Sequence, residues 1–68
     1  MDSMKPVVRF VGNARFHDHS DSIRSAVVYA LDHPRLGENK VYTSQVLSGD
    51  GDEFETLNTI YRRVYDYQ

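Results

Sequence analysis

The chain has 68 residues, a net charge of −2 and a hydrophobic content of 40%, with no cysteine and no tryptophan. One domain is all this length supports, and so small a domain buries only about 60% of the surface its unfolded chain exposes. The composition excludes disulfides, thiol catalysis and Cys-type zinc sites, lacks the basic excess of a general nucleic-acid binder, and holds no apolar run long enough to span a membrane.

Residues 1–6 read as a polar arm without the apolar segment that marks a signal peptide. Pro6 then precedes Val7-Val8-Arg9-Phe10-Val11, a short β-branched and aromatic run stopped by Gly12-Asn13, which predicts strand one. Residues 14–19 carry little signal. Asp18, Ser20 and Asp21 are N-cap candidates. After them Ile23, Val27, Ala30 and Leu31 fall at i, i+4, i+7 and i+8, one apolar stripe of a helix that Val28 widens. Pro34 cannot continue a helix and biases His33 away from helical angles. A helix is therefore expected over residues 21–32.

Residues 35–39 read as a loop, and 40–47 and 54–64 as strands two and three. The stretch 48–52, Ser-Gly-Asp-Gly-Asp, is rich in residues that accept positive φ and predicts the turn of a hairpin. In strand three, Phe54, Ile60 and Val64 share one parity while Leu57, Tyr61 and Tyr65 share the other. That pattern fits either cover on both faces or a bulge. The expected fold is α+β: a single domain over 1–68, ordered β-α-β-β, with one helix packed on a three-stranded antiparallel sheet, an arm at 1–6 and a tail at 65–68.

Candidate chemistry is sparse. His17-x-His19 with His33 downstream holds imidazoles that suit zinc-like ions, but a polar loop with N-cap residues explains the same segment. The acidic run from Asp50 to Glu55 fails as a calcium loop, because the twelfth position counted from Asp50 is Tyr61 rather than Glu. No Ser or Thr sits in a recognisable nucleophile setting. The expectation is a protein that is not an enzyme and has no cofactor and no metal. Arg62-Arg63 beside Tyr61 and Tyr65 could clasp phosphates on single-stranded nucleic acid. The alternative is that the two arginines pair with Glu53 or Glu55 across the hairpin. The N-terminal third interleaves Lys5, Arg9, Arg15 and Arg24 with Phe10 and Phe16, and Arg and aromatic residues are enriched in protein interfaces. The expected partner-binding set is Lys5, Val8, Arg9, Phe10, Arg15 and Arg24.

The run Lys5-Pro-Val-Val-Arg-Phe-Val-Gly-Asn-Ala-Arg-Phe16, with the small size and the absence of Cys, resembles the small bacteriophage proteins that inhibit bacterial RNA polymerase and act as antiterminators. The resemblance implies a non-enzymatic regulator that binds the N-terminal region of the polymerase β′ subunit. It would block host promoter recognition, suppress termination and work in the host bacterial cytoplasm. It implies a protein partner, no direct sequence-specific nucleic acid contact, no membrane, and a free monomer. The runner-up expectation is a small nucleic-acid-binding module using the C-terminal hairpin.

Overall fold

A computed structural model describes residues 5–19 and 23–65. The predicted cap residues Ser20 and Asp21, most of the predicted arm and residues 66–68 of the tail lie outside the described residues. Six strands follow in order: β1 (Val7–Asp18), β2 (Arg24–His33), β3 (Gly37–Tyr42), β4 (Val46–Gly49), β5 (Glu53–Thr56) and β6 (Ile60–Arg63). They form one sheet in the order β3-β2-β1-β6-β5-β4. The β1–β6 pair is parallel and the other four pairs are antiparallel.

The predicted α+β class is therefore corrected. Among the described residues there is no helix, and the segment expected as one is β2. A continuous apolar run from Ala26 to Leu31 satisfies either period, and its Val-Val-Tyr centre favours strand. In the strand, Ala26, Val28 and Ala30 are buried, while Ile23 of the expected helical stripe is exposed and Val27 and Leu31 are only half-buried. The sheet is also mixed rather than antiparallel, and it has six strands rather than three.

Strand β1 is longer than expected because Gly12-Asn13 does not stop it. Phe10 and Val11 pair with Ala30 and Tyr29, whereas Arg15 and Phe16 pair with Val27 and Ala26. Three residues of β1 thus face one of β2, an insertion of two. An even insertion leaves the facing unchanged, so Val8 and Phe10 before it and Ala14 and Phe16 after it all turn toward the core. Gly12 absorbs the irregularity with φ of 80°, a conformation side-chain-bearing residues rarely adopt. The expected strands two and three each break in the middle. Residues 43–45 separate β3 from β4, and residues 57–59 separate β5 from β6. The expected hairpin turn is present between β4 and β5. Gly49 is required there, because a Cβ would lie 2.3 Å from the Glu53 carbonyl oxygen.

The core consists of Val8, Phe10, Ala26, Val28, Ala30, Val41, Phe54 and Tyr61, with Ala14, Phe16 and Val46 packed against it. Phe54 lies 5.7 Å from Phe10, 5.3 Å from Phe16 and 5.1 Å from Tyr61, centroid to centroid. Buried Thr43 closes the β2–β3 end: its amide donates to the Ala26 carbonyl at 2.8 Å, and its Oγ1 accepts from the Ala26 amide at 3.0 Å. At the other end, the turn after β2 is held by His33, whose Nδ1 accepts from the amides of Arg35 and Leu36 at 3.1 and 3.2 Å.

The strand assignment has a direct test. Val28→Asp places an unpaired charge in the core and should abolish the fold, since a core of this size supplies only roughly 3–5 kcal/mol in total. Val27→Asp places the charge on the outer face and should leave a dispersed amide NMR spectrum. A helix over 21–32 would give the opposite order.

Candidate interaction face

The curled sheet has an inner face filled by the core and an outer face toward solvent. On β1, β2 and β3 the outer side chains form two rungs set by the strand register. Arg15 pairs with Val27, which pairs with Tyr42; Val11 pairs with Tyr29, which pairs with Lys40. Tyr42 is 74% exposed, the most exposed large hydrophobic side chain among the described residues. Lys40 Nζ sits 6.0 Å from the centroid of the Tyr42 ring, a cation–π contact. Arg15, His17, Lys40 and Tyr42 surround a shallow depression of about 600 Å³, floored by Val27. The Tyr29 hydroxyl donates to Glu38 at 3.0 Å along the same face.

Charge pairing is concentrated away from this region; outside it, only Arg35 of the β2–β3 turn is without a carboxylate partner among the described residues. Lys5 pairs with Glu55, Arg9 with Asp32, Arg24 with Asp18, Arg62 with Glu53 and Arg63 with Asp52. Arg15 and Lys40 have no carboxylate partner among the described residues, and they share one face. A second depression, between Asp18, Arg24 and β4, has its arginine already neutralised.

The structure separates the partner-binding residues expected from the sequence. Val8 and Phe10 are fully buried and belong to the core. Lys5 is bound by Glu55 and by the Thr56 carbonyl, and Pro6 accepts a bond from the Ile60 amide, so these two arm residues are tied to the sheet. Arg9 donates to Asp32 through both its amide and its Nε at 2.8 Å. Arg24 is paired with Asp18 and also lies 5.7 Å from the Phe16 ring. Arg15 alone of the six is exposed with its charge uncompensated among the described residues. Lys40 and Tyr42 fall outside the expected set, because a single hairpin strand over 40–47 gives no reason to place them beside Arg15. The signal available was the alternation Lys40-Val41-Tyr42, which puts the two polar-ended side chains on one face.

Other sequence candidates resolve into local bonding. His19 Nε2 is 2.9 Å from Ser25 Oγ, and no three His, Cys, Asp or Glu side chains converge as a metal site among the described residues. Asp50 Oδ1 accepts from the amides of Asp52 and Glu53, and these bonds hold its carboxyl below the ordinary value of 3.8. The Tyr65 hydroxyl donates to Asp52, which raises the phenol, and Arg63 stacks 4.7 Å from the Tyr65 ring. No helix long and apolar enough to cross a membrane occurs among the described residues. Comparison with protein-family models, with curated proteins and with solved structures gives no match.

The Arg9–Asp32 pair predicts an acid response. Desolvation pushes the Asp32 carboxyl up, but the hydrogen bonds from Arg9 and its positive charge outweigh that, leaving it below 3.8. A depressed carboxyl stabilises the fold above its unfolded value, and that stability is lost as pH falls through the folded value. The Tm of the native chain should therefore drop more steeply below pH 3.8 than that of Asp32→Asn. Equal slopes would show that this pair contributes nothing.

Proposed function

We propose that this chain is a small non-enzymatic regulator that binds bacterial RNA polymerase at the N-terminal region of β′, acting in the bacterial cytoplasm to block promoter recognition and suppress termination. The named target rests on the resemblance of the Lys5–Phe16 run. The structural observation behind a protein-binding reading is the pairing of Arg15 and Lys40, uncompensated among the described residues, with the exposed Tyr42 ring on one rigid sheet face. Aromatic and cationic side chains held by a scaffold lose little entropy on docking, and a few such anchors carry most of an interface's energy. Opposite charge on the partner would speed encounter and fix orientation. The face that contacts it is the outer side of β1–β3 rather than the arm and first half of β1.

The C-terminal hairpin is less suited to nucleic acid, because Arg62 and Arg63 are already engaged by Glu53 and Asp52. Phosphate binding there would first have to displace those carboxylates.

The test is capture of purified polymerase on the immobilised chain, with transcription from a sigma-dependent promoter as the functional readout. Arg15→Glu should weaken capture by about tenfold or more, as loss of an interface anchor does. Arg24→Glu, whose native charge is already paired, should weaken it much less. Absence of capture by the native chain removes the named target, and equal loss for both variants removes this face.

A further inference from the structure

The two edges of the sheet differ. Strand β4 has four residues and lines one depression together with Asp18 and Arg24 of the β1–β2 hairpin. Strand β3 has six residues and pairs only with β2 among the described strands. Its hydrogen-bond phase follows from Thr43, whose amide donates inward to Ala26. Inward and outward pairs alternate along an antiparallel ladder. Val41 and Asn39, opposite Val28 and Ala30, therefore share the inward phase. Lys40 and Tyr42 direct their amides and carbonyls to the open edge. The Lys40 amide accordingly finds no β2 carbonyl and donates instead to the Asn39 side chain at 2.8 Å.

We infer that this edge is the docking site for an extended acidic segment of the protein partner, added to the sheet as a seventh strand beside β3. The inference rests on the protein-binding reading above and deepens it by naming the mode of attachment. Lys40 and Tyr42 supply both elements such a segment needs. Their backbones offer the free hydrogen-bonding groups, and their side chains lie on the outer face, where residues of the incoming strand would stand opposite them. An edge lysine discourages pairing with neutral or basic strands. Here the Lys40 charge, unpaired among the described residues, favours a carboxylate opposite it; Glu38 on the same face is engaged by the Tyr29 hydroxyl, and Arg15 extends the positive field from two strands away. The alternate residues of the incoming strand would lie beside Val41, which is 4% exposed, so the segment that fits alternates acidic and apolar side chains. Asn39 occupies the Lys40 amide in the free protein and is displaced without breaking any strand pairing.

The experiment is amide hydrogen exchange on the full chain with capped synthetic peptides of alternating Glu and Val, and of alternating Lys and Val. The Glu-Val peptide should slow exchange at Lys40 and Tyr42, by roughly tenfold at ten times its Kd, and the Lys-Val peptide should not. Tyr42→Ala should weaken but retain the protection at Lys40, whereas Tyr42→Pro, which also takes away an outward amide without costing a bond to β2, should abolish it. Lys40→Glu should reverse the preference to the Lys-Val peptide, and this variant decides the matter if the proline variant fails to fold. Equal protection by both peptides, or protection on β4 instead, overturns the proposal. So does protection that rises with protein concentration alone, which would mean a second copy occupies the edge. Tighter, steeply salt-dependent binding of oligothymidylate at the same residues would assign the face to nucleic acid. Peptide protection without polymerase capture removes only the named target; capture without protection at Lys40 and Tyr42 removes only the edge.

Discussion

The Phe54 side chain is the contact on which the rest of the sheet depends. It sits on β5, two strands from β1, yet its ring meets both Phe10 and Phe16 of β1. A flat sheet would hold β5 about 10 Å from β1 at the usual strand spacing. The rings meet within 6 Å where the sheet folds over, and the same fold brings edge strand β4 to one depression with Asp18 and Arg24 of the β1–β2 hairpin. Stacking on Tyr61 of the neighbouring strand fixes the ring's plane from the other side. Among the described residues no helix covers the sheet, and the curl is what encloses the core. A single sheet with no covering layer has no other way to bury one face.

That curl imposes demands on the backbone. Strand β1 must bend while keeping Val8 and Phe16 on the same side, and an insertion of two residues at Gly12-Asn13 does both. An insertion of one would have turned Ala14 and Phe16 to solvent and removed one of the rings that meet Phe54. The parallel β1–β6 pair has a similar origin. The Pro6 carbonyl accepts from the Ile60 amide and the Phe10 carbonyl from the Val64 amide, so β6 lies along the free side of β1 and carries Tyr61 under Phe54. Short turns join β2 to β3, β4 to β5 and β5 to β6 as antiparallel neighbours, while residues 43–45 carry the chain from one edge strand, β3, to the other, β4.

The sequence made parts of this legible and hid others. The β-branched run at Val7–Val11 and the Gly-Asp-Gly turn after Gly49 were readable because each is local chemistry. The run from Ala26 to Leu31 was not, because an unbroken apolar stretch fits a 3.6-residue stripe as well as an alternating strand. The stripe of Ile23, Val27 and Leu31 was real as spacing and wrong as geometry. The residue that decides it is Val28, which only widens the stripe of a helix but is the buried centre of the strand. The breaks at residues 43–45 and 57–59 also lacked strong turn signals. The first is set by buried Thr43, which bonds to Ala26 on β2, a partner fixed by the tertiary fold, and the second by buried Thr56, whose amide and hydroxyl both donate to the Thr59 carbonyl within the turn itself. The expected partner set mixed core and surface because alternation along β1 was not applied to it. Val8 and Phe10 fall on the inner parity and Arg9 and Arg15 on the outer.

The pairing of charges then narrows where an acidic protein can meet another acidic surface. A net charge of −2 describes the far field, which salt screens over about 8–10 Å. At contact distance only local charge matters, and a cation already bonded to a carboxylate presents little of it. Five of the basic side chains are bonded in this way. Arg35 lies in the β2–β3 turn, away from the two outer rungs, so Arg15 and Lys40 outweigh Glu38, which is engaged by the Tyr29 hydroxyl, in setting the sign of the outer face. Arg15 and Tyr42 flank Val27 from either side, and Lys40 stacks on the Tyr42 ring. The positive potential therefore sits over exposed apolar and aromatic surface, whose burial is favourable at any salt concentration. Charge on this face selects and orients, the ring and the valine supply the holding energy, and the open backbone of β3 runs beside both.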